Sequence, residues 1–309
     1  MSELPAPQTR CGYVAIVGRP NTGKSTLLNH LIEQKLSITS RKPQTTRYNL
    51  LGIITEADTQ IILIDTPGIH TDTRHGNKSG TKTRTINSLM NRSAQSAMQI
   101  VSLVLMIIDR DVWTDQDQRI LDQIKSSGTP FAILINKIDQ IEDKSTLMPL
   151  LEKLSKRSGG ADLIPISALH KQNFDRLKEV VKSFLPKSEF IFPDDEVTDK
   201  SVRFLVAEII REKIIRQCGN ELPYESAVEI EEFKEEPGLV RINALVLVER
   251  EGQKRIIIGD KGARLKSISE QARLDIERLV DCKVFLRCWV KVKSGWSDSD
   301  RALKSLGLL

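Results

Sequence analysis

The chain has 309 residues, enough for two domains of ordinary size, and its 39% hydrophobic and 28% charged content argues against wholesale disorder. It has no apolar run of the roughly 18–20 residues that a membrane-spanning helix needs, and Met1–Arg10 lacks the apolar stretch of a secretory signal, so a cytoplasmic location is expected. The net charge of +5 is mild but uneven: residues 250–309 hold 14 Lys and Arg against 8 Asp and Glu, while residues 200–249 hold 7 against 10, which hints at a polyanionic partner for the C-terminal end. Cys11, Cys218, Cys282 and Cys288 show no CxxC or metal-ligand rhythm, and the four histidines form no cluster, so no zinc site is expected.

The first half alternates apolar runs with amphipathic stretches. Tyr13–Val17, Ile61–Ile64, Val101–Ile108 and Phe131–Ile135 read as buried strands. Lys24–Glu33, Thr83–Gln99, Thr114–Ser127, Thr146–Ser158 and Asn173–Leu185 read as helices. That alternation predicts an α/β unit with a mostly parallel sheet and helices on both faces.

Chemistry sits at the strand ends. Gly18-Arg19-Pro20-Asn21-Thr22-Gly23-Lys24-Ser25, followed by Thr26, matches GxxxxGK[ST] after a strand and at the opening of a helix. Glycines let backbone N–H groups wrap phosphates, and the helix N-terminus faces the anion. Lys24 is expected between the β- and γ-phosphates, and the Ser25 hydroxyl on Mg²⁺. Gln44-Thr45-Thr46-Arg47 supplies a threonine to sense the γ-phosphate; Thr46 is favoured over Thr45, and Pro43–Arg47 is expected to be mobile. Asp65-Thr66-Pro67-Gly68 follows the second strand, with Asp65 reaching the magnesium shell and the Gly68 N–H reaching the γ-phosphate. Lys24, Thr46 and Gly68 are therefore the expected catalytic groups, and Ser25, Thr46 and Asp65 the expected metal ligands. Ile69 stands where Ras-like enzymes place a water-orienting Gln, so isolated hydrolysis should be slow. Thr71–Arg84 has no apolar residue apart from the methyls of its threonines and reads as a mobile loop.

Asn136-Lys137-Ile138-Asp139 follows the fourth strand and reads as a guanine pocket. The carboxylate of Asp139 can accept from N1–H and the 2-amino group, which adenine lacks. Ser167-Ala168 follows Leu163–Ile166, where a backbone N–H can meet the 6-oxo group. Pro186–Lys200, with two prolines and an acidic cluster, reads as a linker that Phe190 and Phe192 can pin to a surface.

The remainder reads as a small α+β unit. Val202–Cys218 is an amphipathic helix; Ala227–Phe233 and Leu239–Glu249 are strands around a Glu235–Gly238 turn. An apolar run Ile256–Ile258, a turn Gly259–Gly262, a helix to Leu279 and a strand Val284–Val292 complete it. The domain boundaries expected are 1–185, a linker 186–200 and 201–309. Gly259-Asp260-Lys261-Gly262 is a GxxG turn, a weak signal alone. Ile258, Arg264 and Lys266 flank it, with core packing as the competing role for the isoleucines, while Asp260 opposes phosphate locally.

GRPNTGKST, KPQTTR, DTPG and NKID resemble the translation-factor-related GTPases. With ELPYE, LVEREGQK, IIIGDKGARLK and WVKVKSGWSDSDRALKSLG, nearly the whole chain resembles the Era family of bacterial GTPases with a C-terminal KH domain. The resemblance implies a type II KH fold, a GTP/GDP and Mg²⁺ cycle, and binding to the small-subunit ribosomal RNA 3′ region and the 30S subunit during ribosome assembly. It also implies peripheral inner-membrane association. A monomer is expected. An ATPase, disfavoured by Asp139, and an RNA-binding module with a merely structural nucleotide are the rival readings; a tandem G-domain protein is excluded by the single phosphate loop.

Overall fold

Strand β1 (Arg10–Val17) is apolar on both faces because it lies in the middle of a covered sheet. Its neighbours are β3 (Thr59–Asp65) and β4 (Leu103–Asp109), both parallel to it. In this computed structural model the described residues are 9–40, 45–68, 94, 97, 100–218 and 226–295. They fall into two compact units: one holds 9–37, 46–68, 94, 97 and 100–199, the other 38–40, 45, 200–218 and 226–295.

The first unit is a six-stranded sheet in the order β2-β3-β1-β4-β5-β6, where β2 is Leu50–Glu56, β5 Phe131–Asn136 and β6 Asp162–Pro165. All pairings are parallel except β2 with β3, which runs antiparallel from Leu50 opposite Asp65 to Glu56 opposite Thr59. The helices whose bounds lie among the described residues are α1 (Lys24–Ile32), α2 (Asp115–Ser127), α3 (Leu147–Ser158) and α4 (Phe174–Phe184). Their apolar faces close over the strands: Ile120, Leu121, Ile124 and Leu154 pack with Val104, Met106, Ile108, Ile133 and Ile135. Helix α2 starts where Thr114 and Asp117 cap each other's backbone N–H groups. Of the expected helix Thr83–Gln99, Ala94 and Ala97 are helical and buried against the sheet, and the other residues lie outside the described set, as does Thr71–Arg84.

The segment read as a linker lies on this unit. Gln60, fully buried on β3, accepts the N–H groups of Ile191 (2.9 Å) and Phe192 (3.0 Å) and donates to the Phe192 carbonyl at 2.8 Å. Phe190 and Phe192 pack against Cys11, Ile53 and Ile62. Residues 186–199 thus cluster with the first unit.

The second unit holds α5 (Val202–Gln217), a sheet in the order β7-β8-β9 (Ser226–Glu236, Leu239–Val248, Lys283–Val292), α6 (Glu251–Ile258) and α7 (Ala263–Val280). β7 and β8 are antiparallel, and β9 returns parallel to β8. Alternate strand residues Val240, Ile242, Ala244, Val246, Val284 and Val290 face Ile209, Ile214, Ile257, Ile268, Ala272 and Ile276 of the helices. The apolar run Ile256–Ile258 is the last turn of α6, a helix the sequence pattern did not delimit; Ile257 is fully buried, so its job is packing.

Candidate nucleotide site and nucleic-acid turn

The loop between β1 and α1 bends as it does because Gly23 has φ +105°, and a Cβ there would lie 2.2 Å from the Asn136 amide nitrogen. Lys24 is buried and folds back on the loop, its ammonium donating to the carbonyls of Gly18 and Arg19 at 3.0 Å each. Burial depresses its pKa to about 8, partly offset by the Asp65 carboxylate. The Arg19 guanidinium instead grips Asp117 at 2.9 Å, a partner that no motif marks.

Ser25, Thr46 and Asp65, far apart in sequence, converge. The Ser25 hydroxyl donates to Asp65 Oδ2 at 2.8 Å and lies 3.0 Å from Thr46 Oγ1; Ser37, unmarked in the sequence, also donates to Asp65 Oδ2 at 2.7 Å. Asp65 is fully buried, and burial pushes its carboxyl pKa upward against those hydrogen bonds. Its Oδ1 has no hydrogen-bond partner among the described residues. Three oxygen donors around a half-satisfied buried carboxylate suit a hard cation such as Mg²⁺, which prefers oxygen ligands. Thr66 is turned inward, its hydroxyl on the Ile16 carbonyl at 2.8 Å. Gly68 lies against Pro20, where a Cβ would approach the Pro20 nitrogen to 3.0 Å. Ile69 lies outside the described residues.

At the opposite end of the loop, Asn136 acts as a tie. Its amide donates to the Thr22 carbonyl at 2.7 Å and its oxygen accepts the Ala168 N–H at 2.8 Å. That N–H, one of those expected to face a guanine 6-oxo group, is therefore engaged by Asn136. Lys137, in a left-handed conformation, reaches the Asn21 carbonyl and Asp109, both at 2.9 Å. Ile138 opens a short 3-10 turn that carries Asp139, whose Oδ1 accepts from the Ser167 hydroxyl at 2.5 Å. The phosphate loop, Asn136–Asp139 and Ser167-Ala168 thus form one connected edge of the sheet.

In the second unit, Gly259 has φ +72°, and a Cβ there would sit 2.7 Å from that of Arg264. Lys261 (φ +45°) and Gly262 (φ +83°) are also left-handed, and a Cβ on Gly262 would meet nothing within 4 Å. Asp260 and Lys261 are exposed. Arg264 folds back onto the Ile256 carbonyl at 2.5 Å, while exposed Lys266 lies 4.0 Å from Glu270. The first turn of α7 carries no acidic residue and no side-chain cap, and the Ala263 N–H donates to the Asp260 carbonyl.

The family model described as 50S ribosome-binding GTPase matches residues 13–137, and the KH domain model matches residues 221–297. The GTPase Era of Ectopseudomonas mendocina is 55% identical over 98% of this chain and 99% of its own length. That of Pseudomonas aeruginosa is 55% identical over 99% and 97%. Two solved structures superpose with TM-score 0.89 at 37% identity, each over 97% of this chain and 99% of the other. One is Aquifex aeolicus Era bound to GDP and AlF4⁻; the other is Era with MgGDPNP and nucleotides 1506–1542 of 16S ribosomal RNA. With a six-stranded G domain, a phosphate loop and an α+β KH domain in one chain, this protein belongs to the Era family of GTPases.

Proposed function

We propose that this GTPase couples guanine-nucleotide hydrolysis to binding of small-subunit ribosomal RNA. The convergence of Ser25, Thr46 and Asp65 beside buried Lys24 supports the reading best. Gly18–Thr26 hold the phosphates, and Lys24 exchanges the Gly18 and Arg19 carbonyls for phosphate oxygens. Ser25, Thr46 and Asp65 would hold Mg²⁺, which would supply positive charge to offset that developing on the phosphates in transfer to water. The Gly68 N–H and Thr46 sense the γ-phosphate. Thr66 and Pro67 belong to the same nucleotide-binding set, as does Ile69 by its place in the sequence. Asp139 reads guanine, and Asn136, Lys137, Ile138, Ser167 and Ala168 hold its pocket. The products are GDP and phosphate.

Gly259–Gly262, with Ile258, Arg264 and Lys266, clamps a few backbone nucleotides of the small-subunit 3′ region, as the complex of the relative with 16S nucleotides 1506–1542 suggests. The protein acts as a monomer in the cytoplasm on the 30S subunit, with peripheral association at the inner membrane. The test is GTP turnover with and without small subunits, together with RNA titration of the native protein and Gly262→Asp. RNA affinity of Gly262→Asp should fall more than about tenfold with GTP binding retained. Equal RNA affinity, or a complete lack of turnover, would overturn the reading.

A further inference from the structure

Strand β9 is an edge strand, and its two faces differ sharply. Val284, Leu286, Cys288, Val290 and Val292 point into the core. The alternate residues Lys283, Phe285, Arg287, Trp289 and Lys291 point to the other face of the sheet, so cations and aromatic rings alternate along it. Phe285 is 44% exposed. It sits opposite Arg241 of β8, and the guanidinium groups of Arg241 and Arg287 lie 5.6 and 5.8 Å from its ring centre.

Cations on an edge strand are often there to discourage pairing with another sheet. That job does not require an exposed phenyl ring. The acidic residues on this face lie on β7, where Glu236 already holds Arg241 at 2.9 Å and Glu232 holds Asn243. No carboxylate stands on the outward positions of β9 itself, and Arg287 makes no ion pair among the described residues. The chemistry of the strip, positive charge flanking a ring open to stacking, complements a single-stranded polynucleotide.

Geometry sets its distance from the GxxG turn. Helix α7 starts at that turn and spans 18 residues, about 27 Å. Strand β9 runs back along it after a short turn, so Lys291 lies toward the Gly259–Gly262 end and Phe285 toward the far end. Four or five extended nucleotides cover such a span, about as many as a KH turn clamps.

We propose that Phe285, Arg287 and Lys283 form a second contact for single-stranded RNA, stacking a base on Phe285 several nucleotides beyond those held at the turn. This rests on the reading of the GxxG turn as the primary clamp. A base stacks on the Phe285 ring, and Arg287 and Lys283 meet the neighbouring phosphates. The long strand is then bound more tightly than the short one, and the difference is carried by β9.

The test uses the full chain and two unstructured RNAs of mixed sequence, about 5 and about 12 nucleotides long, titrated by fluorescence anisotropy at several salt concentrations. Phe285→Ala should weaken the long RNA about tenfold and leave the short one within about twofold. Arg287→Ala should lower the salt slope for the long RNA by about 0.7. Circular dichroism and melting check that both variants fold, which their exposed positions favour. Unchanged affinity of Phe285→Ala for the long RNA overturns the proposal while Gly262→Asp still loses both RNAs. If Gly262→Asp keeps both RNAs, the primary clamp itself is wrong. Loss of binding to anionic lipid vesicles in Phe285→Ala, with RNA binding intact, would assign the strip to a membrane instead and also overturn it.

Discussion

The backbone N–H of Thr39 donates to the carboxylate of Glu212 at 2.9 Å, and Glu212 is fully buried on α5. Thr39 is thereby held within the second unit. Arg216 and Lys213 reach the same carboxylate at 3.0 and 3.3 Å, Lys213 continues to Asp275 on α7 at 2.5 Å, and Arg211 donates to the Thr45 carbonyl. Removing the carboxylate leaves the buried Lys213 ammonium with Asp275 alone and takes the acceptor from the half-buried Thr39 N–H. Glu212→Ala should therefore destabilise the second unit by about 3–5 kcal/mol and accelerate hydrogen exchange at Thr39. Glu212→Gln keeps an acceptor for Thr39 and should cost less. Urea unfolding and exchange mass spectrometry read both; equal exchange at Thr39 in the alanine variant and the native protein would disprove the role.

Gln60 should matter more than a polar strand residue usually does. Its side chain makes five hydrogen bonds: three with the backbone of Ile191 and Phe192, one to the Thr55 hydroxyl and one from the Cys11 thiol. Gln60→Leu leaves two backbone N–H groups and a carbonyl without that partner, for a loss of about 2–3 kcal/mol. The measurement is thermal unfolding combined with limited proteolysis between Pro186 and Asp199. A protease-resistant segment in the variant would show that the phenylalanines alone hold it.

Asp139→Asn should exchange guanine for xanthine preference. The carboxylate accepts from the Ser167 hydroxyl. Asparagine instead offers an N–H to the 2-oxo group of xanthine, and a guanine donor is left unpaired. Competition between GTP and XTP decides it: a variant still preferring GTP by more than about tenfold contradicts the pocket.

Thr46 and Thr45 should behave differently. The Thr46 hydroxyl lies 3.0 Å from Ser25 Oγ, whereas the Thr45 carbonyl is engaged by Arg211. Thr46→Ala is expected to reduce GTP turnover at least about tenfold and to weaken its dependence on Mg²⁺ concentration. Thr45→Ala should change turnover less than about threefold. The reverse order in a magnesium titration would move the γ-phosphate sensor to Thr45.

The local chemistry of this protein was written in the sequence wherever a short segment carries its own constraint. GxxxxGKS, DTPG and NKID each end a strand, and a strand's apolar run and the turn after it are local facts. The GxxG turn was legible for the same reason, since left-handed backbone at Gly262 and a close approach at Gly259 favour glycine. Strand β2 was not, because Leu50–Glu56 is short and gains its identity only by pairing antiparallel with β3 along its whole length. Residues 186–200 read as a linker that Phe190 and Phe192 can pin to a surface, but nothing in their own composition points to buried Gln60, which accepts the Ile191 and Phe192 N–H groups. Ser37 beside Asp65, Asp117 on Arg19 and Glu212 on Thr39 were equally invisible. Each joins residues tens to more than a hundred positions apart, and only the fold brings a polar side chain with no motif of its own to the group it must satisfy.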